Sequence, residues 1–177
     1  LPDGESPAVA DFEPDGPRFV VVAEDGGIHL GDADLGAWNR IWSGDEVVGV
    51  GDRATAIRWI EDDVVFVGCR SSGLWLLDPS TASIRNVVPS ESIAEIVRHP
   101  DHGAIVGFRD GRLSHLGSDG SVLRTTQLPP PESEKFAISI QRRMAVSLAT
   151  RELAIISGVR HGKTARMDID SWEITWS

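Results

Sequence analysis

Arg18-Phe19-Val20-Val21-Val22-Ala23-Glu24-Asp25-Gly26-Gly27-Ile28-His29-Leu30 decides the fold, because two apolar runs are broken by one Asp-Gly-Gly turn. Short apolar runs joined by a turn of this composition read as a β-hairpin. The same pattern returns as Val64 to Cys69 followed by Ser72-Gly73-Leu74-Trp75-Leu76-Leu77, and again as Ala104 to Phe108 followed by Asp110-Gly111-Arg112-Leu113-Ser114-His115-Leu116. A fourth, plainer copy runs Met144-Ala145-Val146-Ser147-Leu148 then Arg151-Glu152-Leu153-Ala154-Ile155-Ile156. The turn positions Gly26, Gly73, Gly111 and Glu152 follow one another at 47, 38 and 41 residues. A period near 40 to 45 residues is that of a four-stranded repeat.

Each hairpin has room for one strand before it and one after it. Val9-Ala10-Asp11-Phe12-Glu13-Pro14-Asp15-Gly16 and Ile96-Val97-Arg98-His99-Pro100-Asp101-His102-Gly103 alternate apolar and polar residues and end in a Pro-Asp turn; Ala56 to Asp62 keeps the alternation. Trailing strands are read at Trp38–Trp42, Ile84–Val88, Val122–Thr126 and Met167–Trp176. Helical periodicity is poor, and Pro100 leaves little room for a helix after Ser90-Glu91-Ser92. The chain is therefore expected to be all-β and propeller-like, one domain over 1–177 with about four blades of four antiparallel strands, bounded near 5–45, 46–90, 91–134 and 135–177.

The Phe12-Glu13-Pro14-Asp15-Gly16 and His99-Pro100-Asp101 turns, with the strand end Leu74-Trp75-Leu76-Leu77-Asp78, resemble the repeats of the WD40-like β-propeller superfamily. The Trp-Asp dipeptide of that family stands here as Leu77-Asp78, Leu30-Gly31 and Leu116-Gly117, and its Gly-His pair is absent. The resemblance implies a non-catalytic platform that presents loops to protein partners. Four repeats admit a closed four-bladed ring, an open half that pairs with a second copy or another propeller segment, or a fragment cut at a blade boundary. Exposed blade edges invite pairing, which favours the last two together.

Composition narrows the partner. Acids outnumber lysine and arginine by 27 to 17, and a net charge of -10 repels a phosphate backbone. No apolar run approaches the ~20 residues that cross a bilayer as a helix. Cys69 is the single cysteine and lies in an apolar run, so it reads as a small core residue in a reducing, cytoplasmic setting. The start at Leu1 without a methionine suits a processed or excised chain.

Candidate chemistry is sparse, and neither a catalytic group, a cofactor nor a metal is expected. Asp32 and Asp34 lack the spacing of a calcium loop, and Glu61-Asp62-Asp63 reads as a solvated turn. His99, Asp101 and His102 supply too few convergent ligands for zinc. No serine sits in a nucleophile elbow, and no glycine run matches a phosphate loop. Among six tryptophans, Trp59 and Trp75 are expected in the core, and Trp38, Trp42, Trp172 and Trp176, on outer strands, are candidate interface aromatics. Glu24, Arg70, Arg109 and Arg151 fall just before the hairpin turns. If those turns share a face, they form a composite surface suited to an acidic protein segment. The expected function is a protein-interaction scaffold or sensor, with self-association that completes a larger propeller. A small-ligand or carbohydrate-binding propeller, or a propeller hydrolase, would need a deep polar pocket.

Overall fold

The computed structural model describes residues 6–43, 52–129, 140–157 and 164–176, and among them every regular element is a strand. The reading of Leu1 lies outside these residues. Sixteen strands form four separate antiparallel sheets of four. The first holds β1 (Pro7–Phe12), β2 (Arg18–Ala23), β3 (Ile28–Asp32) and β4 (Ala37–Trp42); the second holds β5 (Ala54–Glu61), β6 (Val64–Cys69), β7 (Gly73–Asp78) and β8 (Ser83–Pro89). The third holds β9 (Ile93–Arg98), β10 (Ala104–Phe108), β11 (Arg112–Leu116) and β12 (Val122–Gln127); the fourth holds β13 (Ile140–Ser147), β14 (Glu152–Ser157), β15 (Thr164–Asp168) and β16 (Ile174–Trp176). Every sheet is an up-and-down meander in chain order, which is the blade-like unit the repeat predicts.

Two compact units divide the chain, Leu1–Ile93 with the first two sheets and Ala94–Ser177 with the other two. In the first, Val20 and Val22 of β2, Ile28 and Trp42 pack against Ile57 and Trp59 of β5 and Val65 and Val67 of β6. Asp11 crosses from β1 to β5, where its Oδ2 accepts the Trp59 backbone N–H at 2.8 Å and its Oδ1 meets the Arg58 guanidinium at 3.3 Å. In the second unit, Val97, Ile105 and Leu113 pack against Met144, Leu153, Ile155, Met167 and Trp172.

The turns repeat as well as the strands. Between third and fourth strands, Asp32, Asp78 and Asp168 each use Oδ1 to accept two backbone N–H groups, two and three residues on, at 2.7 to 3.1 Å. The residue four positions past each is left-handed: Gly36 (φ 60°), Ala82 (52°) and Trp172 (64°). Asp32 is thus a turn-forming residue in its local bonding.

The fourth sheet departs from the register that the hairpin spacing suggests. Met144 to Ile156 forms first and second strands, whereas the equivalent-looking hairpins at Gly26, Gly73 and Gly111 join second and third strands. Met167 to Trp176, expected as one trailing strand, is the third strand, an Asp168 turn and the fourth strand. The hydrogen bonds agree: Ile169 N–H donates to the Arg151 carbonyl as Ala33 N–H donates to that of Pro17, each tying the end of a third strand to the start of a second. The true counterpart of the Gly26 turn falls between Ser157 and Thr164, outside the described residues.

Candidate functional site

In an up-and-down sheet, the turn between second and third strands lies at the opposite end from the other two turns. Glu24, Arg70 and Arg109 each follow a second strand, while Arg151 precedes one, so Arg151 sits at the other end of its sheet. Glu24 and Arg70 are exposed, and their backbone N–H groups donate to the Ser6 and Arg53 carbonyls. Arg109 is half-buried, and its Nε has no hydrogen-bond partner among the described residues. Arg151 is committed elsewhere: its guanidinium grips Asp101 through both terminal nitrogens (3.0 and 2.7 Å) and Asp170 through Nε and Nη2 (2.9 and 2.7 Å). Those two carboxylates surround it while its backbone holds a left-handed φ of 51°. They also raise its pKa and lower that of Asp101.

The first unit carries a matching brace between its two first turns. Arg18 pairs with Glu13 on its own turn and reaches across to Asp63 Oδ1 at 3.3 Å and the Asp62 carbonyl at 2.8 Å, over the Trp59 ring. The guanidinium holds the Glu13 carboxyl below its usual range. The acids of this turn, read as solvated, are thereby partly neutralised.

At the same end of the third sheet, the structure gathers three histidines. His99 follows β9, His102 sits in the β9–β10 turn and His115 lies on β11 opposite Ile105, one position from the Leu116–Ala104 pair. Gly103 closes the turn with φ 69°, and a Cβ there would stand 2.0 Å from the Leu116 carbonyl oxygen. That close approach, with the His99 N–H donating to the Gly103 carbonyl, folds the turn onto β11. The rings of His99 and His115 stack at 3.9 Å and 9°, and His102 lies 5.0 Å from His115 and 5.7 Å from His99 between centroids. One ligand nitrogen from each lies within 4.8 Å of the others. His115 is buried, His99 half-buried and His102 exposed. Burial pushes the His99 pKa down to about 4, with the neighbouring His115 opposing protonation next, and burial also lowers that of His115. Both rings are therefore neutral near pH 7 and carry a lone pair, and that of His99 sits on Nδ1, where it accepts the Asp101 backbone N–H at 3.2 Å. His115 Nε2 lies 3.0 Å from the His102 carbonyl, which can only accept, so Nδ1 holds the lone pair of His115. The sequence pointed to His99 and His102 but not to His115, whose approach depends on strand pairing rather than on spacing.

A second grouping lies on the first sheet. Phe12, Phe19, Gly31 and Trp38 are direct cross-strand neighbours across all four strands. Phe12 and Phe19 meet at 5.6 Å, and Trp38 meets Phe19 edge-on at 5.2 Å. Gly31 makes this possible, since a Cβ there would stand 2.2 Å from the Phe19 ring. The alternation of side chains sends Val20 and Val22 into the core and Phe19 to the other face. Phe12 is 60% and Trp38 40% exposed. A bulge in the β3–β4 pairing puts Trp42 on the opposite face, buried in the core. Trp172 is buried beneath Arg124, and Trp176 packs on the same core and donates its indole N–H to the Pro129 carbonyl at 3.1 Å. Of the four expected interface tryptophans, Trp38 is the exposed one. Trp59 is fully buried and Trp75 half-buried.

No family model and no curated protein matches the chain. Among solved structures it is similar to the computationally designed Ika8 protein, crystal packing No.1 in P63, at 16% identity and a TM-score of 0.66. The match covers 95% of this chain and 48% of that one, so the chain spans about half the length of the structure it matches. At that identity the likeness concerns the fold alone. No helix is long and apolar enough to cross a membrane, among the described residues.

Proposed function

We propose that the chain is a non-catalytic protein-interaction module of the WD40-like propeller kind, and that a second copy docks on its first sheet to complete a larger assembly. The observation that carries this is the row Phe12–Phe19–Trp38, which leaves large aromatic area in water on one face of the sheet. Aromatic rings dominate interface energies, and single exposed apolar residues are common where a cross-strand row is not. A second copy is the favoured occupant because a solved structure that this chain resembles in fold is about twice as long. With Phe12 60% and Trp38 40% exposed, the three rings have roughly 300 Å² left to bury, short of the ~800 Å² per partner of a stable interface, so flanking strand residues must contribute. Cys69 supports the non-catalytic reading: burial pushes its thiol up to about 11, which leaves little thiolate to attack anything.

The test is association on dilution. Sedimentation of wild type and Trp38→Ala across a concentration series is expected to show a monomer–dimer equilibrium weakened at least about tenfold by the substitution. Because each copy carries a charge of -10, added salt should strengthen the dimer. Identical behaviour of the two proteins would remove the aromatic row from the account.

A further inference from the structure

We infer that His99, His102 and His115 bind a divalent first-row transition ion of the zinc class at the first turn of the third sheet. Three imidazoles within 4.8 Å of one another offer nitrogen ligands only, a donor set that suits zinc, copper, nickel or cobalt and not the oxygen-seeking magnesium or calcium. Tetrahedral ligands at ~2.1 Å from one ion stand ~3.4 Å apart, so the trio must draw in by roughly 1.4 Å at most from its 4.8 Å span. Two members must move: His102, which is exposed on the turn, and His99, whose ring must turn out of its 3.9 Å stack on His115 to aim a nitrogen at the ion, while His115 is fixed on β11.

One contact competes for the ion: the Asp101 backbone N–H donates to His99 Nδ1 at 3.2 Å, a bond that His99 must release to ligate, while the other contacts hold the trio in place. The His102 carbonyl receives the His115 Nε2 proton at 3.0 Å, which orients that ring as an outer-sphere acceptor orients a ligating imidazole. Asp101 Oδ2 lies 3.9 Å from His99 Nδ1, but both Asp101 oxygens are held by Arg151, so the carboxylate steadies the turn and stays outside the ligand set. Three protein nitrogens leave a fourth position open on the side of exposed His102, to be filled by water or by a donor from a bound partner. The acids around Arg18 offer no equivalent, since Glu13 and Asp63 already serve the guanidinium.

The probe is zinc chloride, titrated calorimetrically into the tag-free full chain after chelator treatment. One zinc per chain is expected, weakened at least about tenfold in both His102→Ala and His115→Ala. Zinc should also raise the melting temperature of wild type but not of His102→Ala. His102 is exposed, so its variant keeps the test decisive if His115→Ala fails to fold. Absence of saturable binding by wild type, or binding that survives His102→Ala undiminished, would overturn the assignment.

Discussion

Gly73 shows how much one residue fixes. Its φ is 98°, and a Cβ would lie 1.9 Å from the Val88 carbonyl oxygen, a backbone atom that cannot swing aside. Gly73→Ala should therefore destabilise the chain by about 1–3 kcal/mol from backbone strain alone, with more from the clash; a urea titration that finds it neutral would contradict the close approach of Gly73 to Val88. The Ser-Gly and Asp-Gly pairs at Gly73, Gly26 and Gly111 were legible in sequence because only glycine meets such a demand cheaply. Arg151 was not, since its left-handed backbone is accompanied by two ion pairs to residues distant in sequence instead of by a glycine signal. Trp42 was misplaced beside Trp38 for a related reason. Side chains four apart share a strand face only until a bulge intervenes, and nothing in Ala37-Trp38-Asn39-Arg40-Ile41-Trp42 announces one.

Between elements, the brace from Arg18 to the second sheet makes a prediction that depends on pH. Glu13 titrates below its usual 4.5 because Arg18 hydrogen-bonds and attracts its carboxylate. The folded pKa is depressed, so the stabilisation is complete above the ordinary glutamate range and is lost as pH falls through the folded value. Glu13→Gln should thus be less stable than wild type by up to about 1 kcal/mol at neutral pH, with the gap closing in acid. A gap that held constant down the acid limb would show that packing, not charge, is what the substitution removes. Strand existence was well signalled at this scale, because alternation and turn residues are local properties. The third and fourth sheets show where that ends: the Met144–Ile156 hairpin looks like its predecessors but occupies a different pair of strands, and His115 reaches His99 and His102 only through the pairing of β10 with β11. Neither pairing order nor cross-strand neighbours can be counted along the chain.

At the scale of the molecule, the first sheet has one face in a core and an exposed aromatic row on the other, and that row is the surface on which the proposed second copy would dock. The expectation of a propeller-like chain that associates began from repeat counting; the exposed row gives it a particular surface. Its most direct test is the solution mass of the purified chain by light scattering at physiological salt. The account predicts a dimer of about twice 19.1 kDa. A monomer of 19.1 kDa at every concentration examined would contradict it.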